Sequence, residues 1–165
     1  MSPLFLLLML PGPRADELTA GSTGDYATIS EALSAAGSGD TISVQPGTYS
    51  ELLWIGTNVV IQAEQGLGTV FLAGDGSSTP IVRMYAGTMS QVIIQDAAEV
   101  AVNLWGGAKL ERSIVVAPGT VGVLVDGGLP QVTEVSVQDA GTYGFHVDDS
   151  TPTLRRCLEI GRAHV

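Results

Sequence analysis

A repeat of 22 residues limits the folds open to this chain more than any other feature. Residues 112–127 (RSIVVAPGTVGVLVDG) align with residues 134–149 (EVSVQDAGTYGFHVDD) at a displacement of 22. Six aligned pairs are identical: Val115 and Val137, Gly119 and Gly141, Thr120 and Thr142, Gly122 and Gly144, Val125 and Val147, and Asp126 and Asp148. A period of this length is short for helix pairs and favours a solenoid whose coils each contain two or three short strands.

An earlier copy of the repeat is less regular. Val92 stands 22 residues before Ile114, whereas Val102 stands 21 residues before Val123. We therefore expect one residue to be absorbed at a turn. Leucine-rich repeats have similar periods, but their pattern of leucine and asparagine is absent.

Coils stacked in register place equivalent residues about 4.8 Å apart in parallel sheets. Alternation along the strands then predicts which side chains enter the core. The inward set is Val123, Val125, Phe145 and Val147. The outward set is Leu124, Asp126, His146 and Asp148.

Residues 25–51 (DYATISEALSAAGSGDTISVQPGTYSE) predict a short amphipathic helix followed by strands. One helical face contains the apolar residues Ile29, Ala32, Leu33 and Ala36. Thr28 and Glu31 have the spacing of a capping box at the start of this helix, and we expect it to cover about three turns. Asp40, Tyr49 and Glu51 are interpreted as turn and cap residues.

This segment resembles the opening of many β-helical proteins, including pectin methylesterases, polysaccharide-associated repeat proteins and phage tailspikes. The resemblance is to the pectin-lyase-like superfamily and implies an all-β fold, a right-handed parallel β-helix with a short N-terminal capping α-helix. A helix over the open end of such a solenoid covers strand edges that would otherwise be exposed. The motif indicates the fold and no particular reaction.

Neither end of the chain belongs to the predicted solenoid. Residues 4–10 (LFLLLML) resemble the apolar core of a secretory signal and are too short to span a membrane, so residues 1–20 are predicted to be a signal-like segment and linker. This predicts a secreted or cell-surface protein without a transmembrane segment. Residues 160–165 (IGRAHV) resemble the translation of a common sequencing adapter and are treated as an artefact. Residues 21–159 then form the β-helix domain, which we expect to continue beyond Glu159 in the natural protein.

The net charge of the chain limits the classes of partner that it can bind. The formal net charge is −10 and Lys109 is the only lysine, so the surface repels a phosphate backbone and nucleic acid is excluded as a partner. A polyanionic sugar is repelled as well, unless Ca²⁺ bridges the two acidic surfaces. No other cofactor is indicated.

The predicted outward column contains a candidate carbohydrate site. Trp105, Asp126 and Asp148 occupy equivalent positions in three consecutive predicted coils, and His146 lies beside the aspartates. An indole ring stacks on a sugar face and carboxylates accept hydroxyl hydrogen bonds, so these four residues suit a polysaccharide. Two neighbouring carboxylates also suit retaining glycoside hydrolysis, or Ca²⁺ together with Asp149. The simpler alternative is ordinary strand-to-turn chemistry.

A second column, Arg112, Glu134 and Arg156, alternates in charge and predicts a solvated ladder of ion pairs. The catalytic signatures of pectin methylesterases and polygalacturonases are missing. Two functions therefore stay open: a noncatalytic carbohydrate-associated module, or a polysaccharide-degrading lyase, hydrolase or esterase whose active site lies further along the solenoid. Whether the protein is an enzyme, and its oligomeric state, are left undecided.

Overall fold

Short strands repeat throughout residues 15–161, which are the residues that the computed structural model describes. One helix and eighteen strands follow each other in this order: β1 (Glu17–Ala20), α1 (Ile29–Ala35), β2 (Thr41–Val44), β3 (Gly47–Tyr49), β4 (Leu53–Ile55), β5 (Val60–Ala63), β6 (Val70–Ala73), β7 (Val82–Met84), β8 (Thr88–Ser90), β9 (Ile93–Gln95), β10 (Val100–Leu104), β11 (Lys109–Glu111), β12 (Ile114–Val116), β13 (Val121–Asp126), β14 (Gln131–Thr133), β15 (Ser136–Gln138), β16 (Tyr143–Asp148), β17 (Thr153–Arg155) and β18 (Leu158–Ile160).

The strands form three parallel sheets, and each coil contributes up to one strand to each sheet. The seven-stranded sheet has the order β1-β2-β5-β8-β11-β14-β17. The six-stranded sheet has the order β18-β15-β12-β9-β6-β3, and the five-stranded sheet has the order β16-β13-β10-β7-β4. The chain is therefore a β-solenoid of about seven turns, which confirms the predicted all-β architecture.

The strand register confirms the repeat and corrects one pairing. Val125 pairs with Val147 and Asp126 with Asp148, as the 22-residue step predicts. Ile114 pairs with Ile93, however, so the assignment of Val92 opposite Ile114 was wrong. The spacing is 21 residues for β8 and β11, β9 and β12, and β10 and β13, and it becomes 22 at β11 and β14, so the extra residue lies in the turn between β13 and β14.

The core is a set of inward columns running through the coils. Val123 and Val125 are fully buried, as predicted. Phe145 is partly buried and packs on this core. Val147 occupies the inward position of β16 but is 43% exposed, because β16 is the last described strand of the five-stranded sheet.

The N-terminal cap is confirmed, although the helix is shorter than expected. α1 has seven residues, about two turns, and its capping box joins Thr28 and Glu31. Glu51 accepts hydrogen bonds from the backbone N–H groups of Ile29 (3.1 Å) and Ser30 (2.9 Å), so the PGTYSE turn holds the start of the helix. These bonds confirm Glu51 as a cap residue.

The strand β1 was not predicted from the sequence. Its residues, Glu17–Ala20, pair in parallel with Thr41–Val44 of β2 and extend the seven-stranded sheet by one strand. Asp40 fixes this junction by accepting hydrogen bonds from the backbone N–H groups of Asp16 (2.9 Å) and Gly37 (2.7 Å). Both donors hold the pKa of the Asp40 carboxyl below its ordinary value.

The charged column at the corner between the seven-stranded and six-stranded sheets forms only in part. Arg112, Glu134 and Arg156 all have positive φ angles there, of 45°, 56° and 52°. The Arg156 guanidinium lies 2.7 Å from the Glu134 carboxylate, and both side chains are exposed. Arg112 makes no ion pair with Glu134 in the described structure, so one rung of the predicted ladder is present.

Two terminal predictions lie outside the described residues. These are the apolar run 4–10 and most of the adapter-like tail, of which residues 162–165 are not described. Ile160, the first residue of that tail, is the last residue of β18. Within residues 15–161 no helix is long and apolar enough to cross a membrane.

Candidate functional site

The outer face of the five-stranded sheet carries the residues that the sequence singled out. Strand pairing aligns one outward row of residues across five strands: Trp54, Arg83, Asn103, Leu124 and His146. Two residues further along each strand lies a second outward row, which contains Tyr85, Trp105, Asp126 and Asp148. We call these two rows together the outer face.

Three aromatic rings and one guanidinium gather at one end of the outer face, and we call them the aromatic cluster. The ring centroids of Trp54 and Trp105 lie 5.3 Å apart with a 56° interplanar angle. Tyr85 lies 6.2 Å from Trp105 at 60°. The Arg83 guanidinium carbon stands 5.0 Å from the centroid of the Trp54 ring, a cation–π contact. The rings are tilted against one another and form separate walls instead of one flat platform.

The aromatic cluster remains open to solvent. Trp54 is 56% exposed and Tyr85 is 52% exposed, while Trp105 is half-buried between them. Large aromatic rings normally gain about 1.5–3 kcal/mol when they are fully buried, so exposing two of them together is costly unless a partner covers them.

The four predicted site residues are not brought into one group. Trp105 joins the aromatic cluster, on the side of the earlier coils. Asp126 and Asp148 are paired directly across β13 and β16 and are both exposed. His146 is half-buried, and its ring centroid lies 5.0 Å from that of Tyr143. The structure gives His146 no hydrogen bond or ion pair with either aspartate.

The side chain of Asn103 has an unsatisfied polar atom in the middle of the outer face. Its Oδ1 is inaccessible to water and accepts no hydrogen bond. Asn103 is flanked in its row by Arg83 and Leu124. Buried acceptors of this kind normally have a partner.

A cavity of about 390 Å³ borders the aromatic cluster. It lies between α1 and the start of the five-stranded sheet and touches Trp54. Its lining residues are Ser30, Leu33, Ser34, Leu52, Trp54, Gly56 and Thr57. The lining therefore combines hydroxyl groups and apolar side chains with one indole ring.

Metal-binding geometry is not found among the described residues. No group of three or more histidine, cysteine, aspartate or glutamate side chains within residues 15–161 is placed to hold an ion. The idea that Asp126, Asp148 and Asp149 together bind Ca²⁺ stays a prediction.

Trp54, Arg83 and Tyr85 were missed in the sequence because their coils are irregular. Trp54 pairs with Arg83 at a separation of 29 residues, and Arg83 pairs with Asn103 at a separation of 20. Neither value matches the 22-residue step. Both tryptophans of the chain lie in the cluster, and that pair was the one signal that pointed to it.

Comparison with protein-family models and with curated proteins finds no match. Among solved structures, the chain is similar to the pectin methylesterase from Aspergillus niger, with 17% sequence identity and a TM-score of 0.62. The alignment covers 90% of this chain and 67% of that chain. The two proteins share a fold. This confirms the predicted right-handed parallel β-helix as the fold of the chain.

Proposed function

We propose that this chain is a noncatalytic, carbohydrate-associated β-helix that binds a polysaccharide along its outer face. The observation that supports this most is the exposed aromatic cluster, in which Trp54, Tyr85 and Trp105 stand together with two rings more than half exposed. Aromatic rings pack on the apolar faces of sugar rings.

The rest of the outer face supplies polar contacts for the same ligand. Asp126 and Asp148 are exposed on successive strands and accept hydrogen bonds from hydroxyl groups. His146 offers a further donor or acceptor beside them. We propose Trp105, Asp126, His146 and Asp148 as carbohydrate-binding residues, and add Trp54, Arg83 and Tyr85 from the structure.

Charge favours a neutral glycan for this site. The chain carries a formal net charge of −10, and the two aspartates of the outer face have no cationic partner in the described structure. An acidic glycan is repelled unless Ca²⁺ lies between the two sets of carboxylates. The signal-like start and the carbohydrate-acting protein of similar fold support a secreted or cell-surface location.

Tryptophan fluorescence tests the binding proposal directly, because both tryptophans report from the aromatic cluster. Xylohexaose and hexagalacturonate are titrated into the protein with and without Ca²⁺. We expect a saturable change with the neutral sugar and, for the acidic sugar, a change only when Ca²⁺ is present. Trp105→Ala should remove the response, whereas Leu129→Ala, an exposed apolar residue outside the outer face, should leave it unchanged. Equal responses from the two variants would refute the proposal.

A second candidate function is a polysaccharide-degrading enzyme with its active site further along the solenoid. The likeness to a pectin methylesterase is the observation that favours it. The test is to assay the protein, and any longer product of its gene, for methanol release from methyl-esterified pectin, for chain cleavage and for unsaturated ends. A positive result in any of these assays would replace the noncatalytic proposal.

A further inference from the structure

The outer face is closed at one end by the capping helix. β4 is the edge strand of the five-stranded sheet, and α1 packs beside it. Ser30, Leu33 and Ser34 of α1 line one space together with Leu52, Trp54 and Gly56 at and beside β4. The helix therefore borders the outer face at this edge of the sheet. A linear ligand that crosses the strands from β16 towards β4 reaches α1 at this edge.

The cavity lies between α1 and the residues at and beside β4. Its volume of about 390 Å³ is near the lower end of the range for ligand pockets, about 300–1,000 Å³. A space of this size accommodates a short stretch of ligand. Ser34 and Thr57 provide hydroxyl groups on opposite sides, and Leu33 and Leu52 provide apolar contacts. This mixture matches a sugar ring, which has polar edges and apolar faces.

Trp54 belongs to both the cavity and the aromatic cluster. Its indole Nε1 lies beside Gly56, where a Cβ atom would stand only 3.1 Å from that nitrogen. The glycine thus leaves the indole N–H unobstructed, and Trp54 donates no hydrogen bond to any described residue. The cavity is therefore continuous with the outer face through an exposed ring that retains a free donor.

From this continuity we infer that the protein recognises the ends of glycan chains, with the terminal sugar in the cavity and the next units on the aromatic cluster. The inference rests on the proposed function and adds the class of ligand: chain ends, not chain interiors. An interior stretch would have to continue past α1, and the helix occupies that path.

Chain length tests the inference. Xylohexaose and xylan, and in the presence of Ca²⁺ hexagalacturonate and polygalacturonate, are compared at equal mass by tryptophan fluorescence. If the site takes ends, a polymer about ten times longer binds about tenfold more weakly per gram, because it has tenfold fewer ends. Equal or stronger binding per gram by the polymer would overturn the inference.

A matched pair of helix variants separates the cavity from the cluster. Ser34→Phe fills the cavity, and Ala35→Phe places the same side chain on an exposed neighbouring position that does not line it. We expect at least tenfold weaker hexasaccharide binding for Ser34→Phe and unchanged binding for Ala35→Phe, with both variants showing the wild-type circular dichroism spectrum.

The outcomes for the two proposals can be told apart. If Trp105→Ala abolishes binding while Ser34→Phe binds as well as wild type, the proposed function stands and recognition of chain ends is wrong. If none of the four sugars binds, both are wrong. A loss of binding in Ala35→Phe equal to that in Ser34→Phe would also count against the cavity.

Discussion

Replacing Gly119 by alanine should push two coils apart at one corner of the solenoid and lower the free energy of unfolding. Gly119 precedes β13, and its N–H donates to the carbonyl of Ala97 in the preceding coil at 2.8 Å. A Cβ at this position would lie no more than 3.0 Å from three backbone atoms, the O and C of Ala98 and the N of Glu99. Backbone atoms cannot rotate away as a side chain can, so the coils themselves must separate.

The expected cost lies at the upper end of the range for over-packed sites. Inserted methyl groups typically cost about 1–3 kcal/mol, and a clash with backbone on this scale predicts about 3 kcal/mol of unfolding free energy. Urea denaturation followed by circular dichroism measures this as a lower midpoint. A Cβ at the equivalent position, Gly141, would clash with the carbonyl oxygen of Gly119 in the same way. Gly141→Ala should therefore also lower the urea midpoint.

Gly107→Ala is the matched control for this substitution. A Cβ at Gly107 meets no atom within 4 Å, and its φ is not positive. Substitution there should leave the midpoint unchanged or raise stability by about 0.4–1 kcal/mol, since alanine restricts the unfolded chain. If Gly119→Ala unfolds at the same urea concentration as Gly107→Ala, the corner is not closely packed and the reasoning fails.

Three other substitutions test separate parts of the fold. Leu110→Ala removes a fully buried side chain and should cost about 2–5 kcal/mol in urea denaturation; a cost below 1 kcal/mol would mean that the core is loosely packed. Arg156→Ala breaks an exposed ion pair and should change the free energy of unfolding by less than about 1 kcal/mol. A larger loss would show that the pair with Glu134 stabilises the fold more than an exposed ion pair normally does. The pKa of Asp40 is lowered by the two N–H groups that donate hydrogen bonds to it, so its stabilisation is fully present above the ordinary aspartate value, about 3.9, and is lost as the pH falls from there through the lowered pKa. Asp40→Asn should therefore lose less stability than wild type between about pH 5 and pH 2, and parallel losses in the two proteins would contradict this assignment.

Much of the fold could be predicted because its determinants are periodic or local. The 22-residue step predicted the pairing of Val125 with Val147, and the capping box predicted the start of α1. The repeated glycines also have a structural reason, since Gly119 and Gly141 face the backbone of the preceding coil. β1 was not predicted because a four-residue strand outside the repeat has too few residues to show a periodic pattern of apolar positions.

The candidate site was only partly predictable. The neighbouring positions of Asp126 and Asp148 followed from a regular step, and the structure has them paired. The ring of Trp105 lies near that of Trp54 and the ring of His146 near that of Tyr143, while the carbohydrate site that these two residues would form with the aspartates stays a prediction. Side-chain direction within an outward row depends on neighbours that register alone does not specify.

By itself, the sequence determined that this chain stacks coils, which side of each late strand enters the core, and that a helix covers its first coil. Only the tertiary structure decided that Trp54, Tyr85 and Trp105 meet on one face. The reason is that backbone hydrogen bonds between strands set the height of a residue on the solenoid, whatever the length of the intervening turns. Coils of 29 and 20 residues therefore bring together side chains that no constant period relates.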